Sequence, residues 1–224
     1  MASIITRILG KFRAPALPLA GQNYITTDEQ QFRNVLRIYF NQLDSAFATL
    51  LDTGGGKFIN FPYGAFSSSV SQSTTANTAT LMTLNTTDFS NQVSISSSKI
   101  TVANAGIYNL QFSTQFQNTD NAIQDISIWL RQGNDGGSSA DIAGSTGFVS
   151  IPARKSASAG QEAHEIIGWN YYLSMQENDY VQIYWSTTSA TVTIQAYAAS
   201  TGPVRPSTQS VVATLSFVSS LSAV

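Results

Sequence analysis

The chain has 224 residues, 42% hydrophobic and only 11% charged, with a net charge of −2 and no cysteine. That is enough apolar material for a packed core, while the charged fraction falls well below the ~25% of an ordinary domain, so Ser, Thr, Asn, Gln and Gly must wet the surface. The composition excludes a phosphate-neutralising nucleic-acid binder, which needs clustered Lys and Arg, a disulfide framework or thiolate metal site, and an apolar run of the ~20 residues that span a membrane.

Residues 1–26 read as an N-terminal docking arm. Its charges are Arg7, Lys11 and Arg13, with no acid to balance them. Pro15 and Pro18 in "APALPLAG" favour an extended run over helix. The apolar residues Ile4, Ile5, Ile8, Leu9 and Phe12 are interrupted by cations, unlike the continuous apolar core of a signal peptide. The expectation is a protein made in the cytoplasm, whose arm docks on a larger partner through Arg7, Lys11, Phe12 and Arg13. A frayed terminus is the competing reading.

Residues 27–53 read as a helical stem, with the helix over 27–51. Thr27 is a good N-cap, and Gln30 stands three residues on, as in a capping box. Asp28 and Glu29 suit the positive end of the helix dipole. Asp52-Thr53-Gly54-Gly55-Gly56 then stops it. Phe32, Leu36, Tyr39, Leu43, Ala46 and Leu50 recur at spacings of four and three, a heptad stripe. Phe40 and Phe47 widen it. Such a helix is ~35 Å long and marginal alone in water, so its stripe needs a partner. Copies of itself, the following domain and another protein are all open, and self-association is the expectation.

Residues 57–221 read as all β. "VSI" and "ITV" flank a Ser-rich turn between Val93 and Val102. "DISIWLRQ" buries Ile126, Ile128 and Leu130. "IIGWNYYLSM" places Ile167, Trp169, Tyr171, Leu173 and Met175 on one side. "DYVQIYWS" does so with Val181, Ile183 and Trp185, "TVTIQAY" with Val192, Ile194 and Ala196, and "VVATLSFV" with Val211, Ala213, Leu215 and Phe217. Gly-, Asn- and Ser-rich turns separate them, which predicts a sandwich or barrel. In "GIYNLQFSTQF", Tyr108, Leu110, Phe112, Thr114 and Phe116 share one side. The other carries Ile107, Asn109, Gln111, Ser113 and Gln115, without a single charge. A soluble strand would normally place Lys or Glu there.

Catalytic patterns are weak. The one histidine, His164, has no nucleophile-elbow motif beside it and reads as a loop residue. "GGGK" at 54–57 lacks the spacing of a phosphate loop and reads as a hinge. Asn134, Asp135 and Asp141 in "NDGGSSAD" offer oxygen ligands for calcium, but their spacing better fits a hairpin loop. Asp120 and Asp125 form a glycosidase pair only if the fold sets their separation. Asn85-Thr86-Thr87 is a glycosylation triplet with no secretory signal to use it.

The run "FPYGAFSSSVSQSTTANTATLMTLNTTDFSNQVSISSSKITVANAGIYNLQFSTQF" resembles the jelly-roll domain of the tumour-necrosis-factor and complement-globular-head superfamily, in the versions found in virion proteins of tailed bacteriophages. "AGIYNLQFS" matches the Gly-x-Tyr strand of that superfamily, "ENDYVQIYW" its penultimate core strand and "VVATLSFV" its terminal strand. "LRIYFNQLDSAFATLL" is similar to the helical lead-in before such phage domains. The resemblance implies a mainly β protein: a two-sheet antiparallel jelly roll, preceded by one long α-helix and an extended N-terminal arm, assembled as a homotrimer.

Asn109, Gln111, Ser113 and Gln115 are then expected at the trimer interface of the head, where amides can bond across an axis and like charges would repel. Tyr172, Tyr180 and Tyr184, opposite the apolar residues of their strands, fit an interface as well. Phe32, Leu36, Tyr39, Leu43, Ala46 and Leu50 are expected to pair in the stem. The expected role is a structural virion protein without enzyme activity or cofactor: a head decoration or short fibre bound to capsid or tail proteins through its arm. The alternative is a tail receptor-binding protein whose head loops recognise a host glycan or protein. A glycan depolymerase is a distant third.

Overall fold

The computed structural model describes residues 17, 25–51, 61–134, 136–158 and 161–221, with helix side chains as far as residue 47. The chain divides into two compact units, Met1–Phe61 and Pro62–Val224.

The first unit holds helix α1 (Thr26–Leu51). It ends where the glycine run predicts but starts earlier than expected. The backbone N–H groups of Asp28 and Glu29 donate to the Ile25 carbonyl at 3.1 and 3.2 Å. Ile25 therefore occupies the cap position and Thr27 sits inside the first turn, so the expected Thr27–Gln30 capping box is displaced. Asp28 and Glu29 still fall at the positive end of the helix, and Glu29 also accepts from Arg33 one turn on at 2.8 Å. Phe32, Leu36, Tyr39 and Leu43 are half-buried and Ala46 is buried. Off that line, Ile38, Phe40 and Phe47 are more than half exposed. The Leu50 side chain lies outside the described residues, as do Arg7, Lys11, Phe12 and Arg13 and all of the expected arm except Leu17, Ile25 and Thr26.

The second unit is antiparallel β structure. Its strands are β1 (Tyr63–Ser68), β2 (Thr80–Leu81), β3 (Thr86–Asn91), β4 (Val93–Ser96), β5 (Lys99–Val102), β6 (Gly106–Asn118), β7 (Gln124–Asn134), β8 (Ser139–Asp141), β9 (Gly147–Ile151), β10 (Ala163–Met175), β11 (Asp179–Thr187), β12 (Val192–Ile194), β13 (Ser200–Thr201), β14 (Val204–Arg205) and β15 (Val211–Ser219). One sheet runs β10-β6-β15-β1-β3, with β12 also on β6. The other runs β4-β5-β11-β7-β8, with β2 on β11 and β9 on β7. The pairing is nested. β1 meets β15, then β5 meets β11, then β6 meets β10, and β7 meets β8 and β9. Successive pairs alternate between the two sheets.

Period-two alternation explains why these two sheets form one β-sandwich-like core. Tyr108, Leu110, Phe112, Thr114 and Phe116 of β6 are all buried, as are Val211, Ala213, Leu215 and Phe217 of β15. The opposing sheet supplies Ile126, Ile128, Leu130, Val181, Ile183 and Trp185. Each buried Val, Leu, Ile or Phe among them contributes about 1.5–3 kcal/mol on leaving water. A register slip of one residue on β6 would exchange this set for the amide face, so the register is strongly specified. Between β4 and β5, Ser97 and Ser98 both take positive φ, 49° and 57°, as a tight two-residue hairpin demands. Glycine would relax that turn, but the Ser98 hydroxyl accepts the buried Leu84 N–H at 3.0 Å.

Tyr108 shows the cost of placing a phenol in this core. Its hydroxyl donates to the Asn104 carbonyl at 2.7 Å, and burial pushes its pKa up to about 12. A folded pKa above the unfolded value of ~10 means that the contribution is whole below pH ~10 and is lost as pH rises from there through about 12. Tyr108→Phe is therefore expected to cost about 1 kcal/mol at neutral pH, from the lost hydrogen bond. It should also flatten the alkaline fall in stability. Urea unfolding of both proteins between neutrality and pH ~12 checks this, and an unchanged alkaline limb in the variant would refute it.

Candidate assembly interface

Three adjacent strands of the six-stranded first sheet share a stretch of its outward face. Here β6 presents Ile107, Asn109, Gln111, Ser113 and Gln115, β10 presents Ile166, Gly168, Asn170, Tyr172 and Ser174, and β15 presents Val212, Thr214, Ser216 and Val218. Register aligns them in rows across the sheet: Tyr172–Asn109–Ser216, then Asn170–Gln111–Thr214, then Gly168–Ser113–Val212. None of these side chains is charged. The absence of charge first read along one strand thus extends across a patch of all three, bounded at the start of β10 by His164 and the exposed Glu165.

The four residues expected at an interface come together on this face, but in different states. Gln111 is exposed, and Ser113 and Gln115 are half-buried. Gln115 Nε2 donates to the Gln209 carbonyl at 3.2 Å. Asn109 is buried, its Nδ2 donating to Asn170 Oδ1 at 2.6 Å, so its own chain already occupies it. Sequence reasoning missed Gly168, Asn170, Val212 and Thr214. The alternation of "GWNYYLSM" could have marked Asn170 as outward, but not as a neighbour of Gln111, fifty-nine residues away.

The tyrosine expectation needs correction. Tyr172 does lie on this face, 62% exposed. Tyr180 and Tyr184 lie on β11, in the other sheet. Tyr184 stacks on Trp129 at 5.9 Å beneath the Arg131 guanidinium, 4.1 Å from its ring, and Tyr180 is buried under the Lys99 ammonium at 4.3 Å. Alternation in each strand was legible, but assignment of strands to sheets was not.

A shallow groove of about 480 Å³ crosses the uncharged face at Gly168. Gln111, Ser113, Asn170, Val212 and Thr214 line it, together with Phe112 and Trp169, whose rings stack at 6.2 Å on the core side of the sheet. Beyond one end, at the start of β10, His164 Nδ1 lies 3.0 Å from the Tyr197 hydroxyl, and Arg205 stands 5.1 Å over the Tyr197 ring. Burial, with a smaller contribution from Glu162, holds the Tyr197 phenol above its ordinary pKa. His164 is thus a strand residue, not the expected loop residue.

The carboxylates weighed for chemistry have local partners. Asp120 accepts from the Ala122 N–H at 3.3 Å and from Gln124 Nε2 at 2.8 Å, and Asp125 accepts from Ser150 Oγ at 2.6 Å. Asp141 pairs with Arg131 at 2.7 Å, which holds its carboxyl below the usual range. Asp135 and residues 54–57 lie outside the described residues. Among the described residues, no three metal-ligating side chains gather. Asn85 accepts the Ser69 N–H at 3.2 Å. A comparison with protein-family models finds no match, and a search of the curated proteins finds none either.

Proposed function

We propose that this chain is a non-enzymatic structural protein of a tailed-phage particle. It forms a homotrimeric appendage, a head decoration or short fibre, anchored by its N-terminal arm and carrying a jelly-roll head free to contact the host. A jelly roll would pair its first strand with its last and alternate nested pairs between sheets, and the pairing seen here supports that part of the reading. The resemblance of residues 62–116 to phage virion domains supports the particle.

The observation that carries the assembly is the uncharged face of β6, β10 and β15. Around a rotation axis a surface meets copies of itself, so every charge near the axis faces its own sign. In a desolvated interface that repulsion is expensive. Amides and hydroxyls each donate and accept, so identical groups can satisfy one another across the axis.

Sedimentation equilibrium of the full chain tests this. The expected mass is three times that of one chain. Gln111→Glu, at an exposed position in the middle row, should shift the protein to monomer while circular dichroism and the thermal midpoint stay as in the parent. A parent protein that is monomeric at micromolar concentration would sink the proposal.

A further inference from the structure

Strand β10 ends its sheet and pairs with β6 alone, so among the described residues its other edge meets no strand. The direction of its backbone groups follows from β6. The Gln115 N–H donates to the Ser210 carbonyl at 3.0 Å, and the Gln115 carbonyl accepts from the Gln195 N–H at 2.9 Å. Gln115 thus turns its backbone away from Ile166, the β10 residue opposite it. Bonded and non-bonded pairs alternate in an antiparallel ladder, so His164, Ile166, Gly168, Asn170, Tyr172 and Ser174 all aim their N–H and C=O groups at the free edge. All six residues are exposed. Among the described residues, only the Ser174 carbonyl has a partner on that side, Gln132 Nε2 at 2.9 Å.

The other sheet edges are short, charged or irregular. β3 has six residues and carries Asp88, and its pairing with β1 shifts register between Ala65 and Phe66. β4, β8 and β9 have four, three and five residues. β10 runs for thirteen residues without a proline, a lysine, an arginine or a register shift. A long regular edge of that kind is a template for another strand.

We propose that the free edge of β10 pairs antiparallel with β10 of a second copy, across a two-fold axis at Trp169. The edge itself dictates the class of occupant. Its N–H and C=O groups recur at every second residue, about 7 Å apart, and only an extended backbone matches that repeat. A second copy is favoured because one contact then covers both free edges and leaves none open. Trp169 is the middle of Ala163–Met175, so an axis there overlaps the whole strand and makes the most hydrogen bonds. It sets Ile166 against Tyr172, Gly168 against Asn170, His164 against Ser174 and Glu165 against Leu173. The carboxylate and the imidazole of the strand therefore never face themselves. Ile166 and Tyr172, 67% and 62% exposed in the single chain, cover each other. One strand pair is smaller than the roughly 1,200 Å² of a stable interface, so the contact is weak and joins copies where they are crowded. It goes beyond the trimer reading and does not depend on it.

Cysteine crosslinking of the full chain tests this, since the parent has no cysteine. In this register Ile166 and the Tyr172 of the second copy form a hydrogen-bonded pair with Cα atoms about 5.5 Å apart, within disulfide reach. Ile166 lies about 20 Å from its own copy. Ile166→Cys mixed with Tyr172→Cys at high concentration under mild oxidation should give a two-chain species, at least about tenfold more than either variant alone. Adding Gly168→Pro to both should cut that yield at least about tenfold, because proline removes an edge N–H and spares the bonds to β6. Near-ultraviolet circular dichroism should show the fold intact. An added Cβ at Gly168 meets only the Phe112 carbonyl oxygen at 3.6 Å, an ordinary contact, and its φ is not in the left-handed region. Should proline disturb the fold, the mixing result alone decides. Gly168→Ala keeps the N–H and should leave the yield unchanged. No crosslink on mixing, equal crosslinking by either variant alone, or an undiminished yield from a folded proline pair would overturn the contact and leave the trimer standing. A parent that is monomeric at micromolar concentration, yet crosslinks in this register when concentrated, would remove the trimer and leave the contact.

Discussion

Gly147→Ala should cost more stability than alanine at any other described glycine, more than about 3 kcal/mol. A methyl built at Gly147 would fall inside the indole ring of Trp169, against Cη2 and Cζ2. Gly147 lies on β9 in one sheet, paired with Ile128, and Trp169 lies on β10 in the other. The indole therefore crosses between the sheets through the space the missing side chain leaves. It has little room to retreat, because Phe112 stacks on it at 6.2 Å and the gap it shares with Ile128 and Tyr171 is too small for a water. Either the ring leaves its rotamer or β9 leaves its partner, and interiors packed to crystal density absorb neither cheaply. Urea unfolding of Gly147→Ala should show the loss, and Gly147→Ala/Trp169→Leu should recover most of it. An alanine variant within about 1 kcal/mol of the parent would mean that the indole does not hold this position.

Trp185→Ala should cost about 3–5 kcal/mol, a large part of the stability of any domain. Trp185 is fully buried on β11 and meets Phe116 of β6 edge-to-face at 5.6 Å, so this pair also joins the two sheets. Removing it deletes apolar contact with both layers and leaves a cavity that the remaining core side chains can only partly fill. Trp185→Phe keeps an aromatic ring against Phe116 and should cost less. A cycle with Phe116→Ala should give a coupling of about 0.5–1.5 kcal/mol, the part that depends on both rings. Thermal and urea unfolding read all of these. A loss below about 1 kcal/mol for Trp185→Ala would contradict the inter-sheet role.

Gly147 and Gly168 show how far sequence reading reaches. Both are glycines at strand positions, and the sequence gives each the same letter and similar neighbours. One is required by a tryptophan twenty-two residues later in the chain and in the opposite sheet. The other is required by nothing in its own chain and opens a groove. Likewise, Asn109 and Gln111 read as equivalent members of one polar face, yet Asn170 arrives on the adjacent strand and takes up Asn109 alone.

By itself the sequence determined what is local. The two-residue rhythm of β6, β7, β10, β11 and β15 named their buried sides correctly, because successive side chains on a strand must point oppositely. The glycine run placed the end of α1, and the paired serines placed a hairpin. Only the tertiary structure decided which strands share a sheet, which outward residues form a continuous uncharged face, and where that face is hollow. The physical reason is that strand pairing joins groups distant in the chain. It is selected by how two apolar faces close over one core, and no window of neighbouring residues contains that choice.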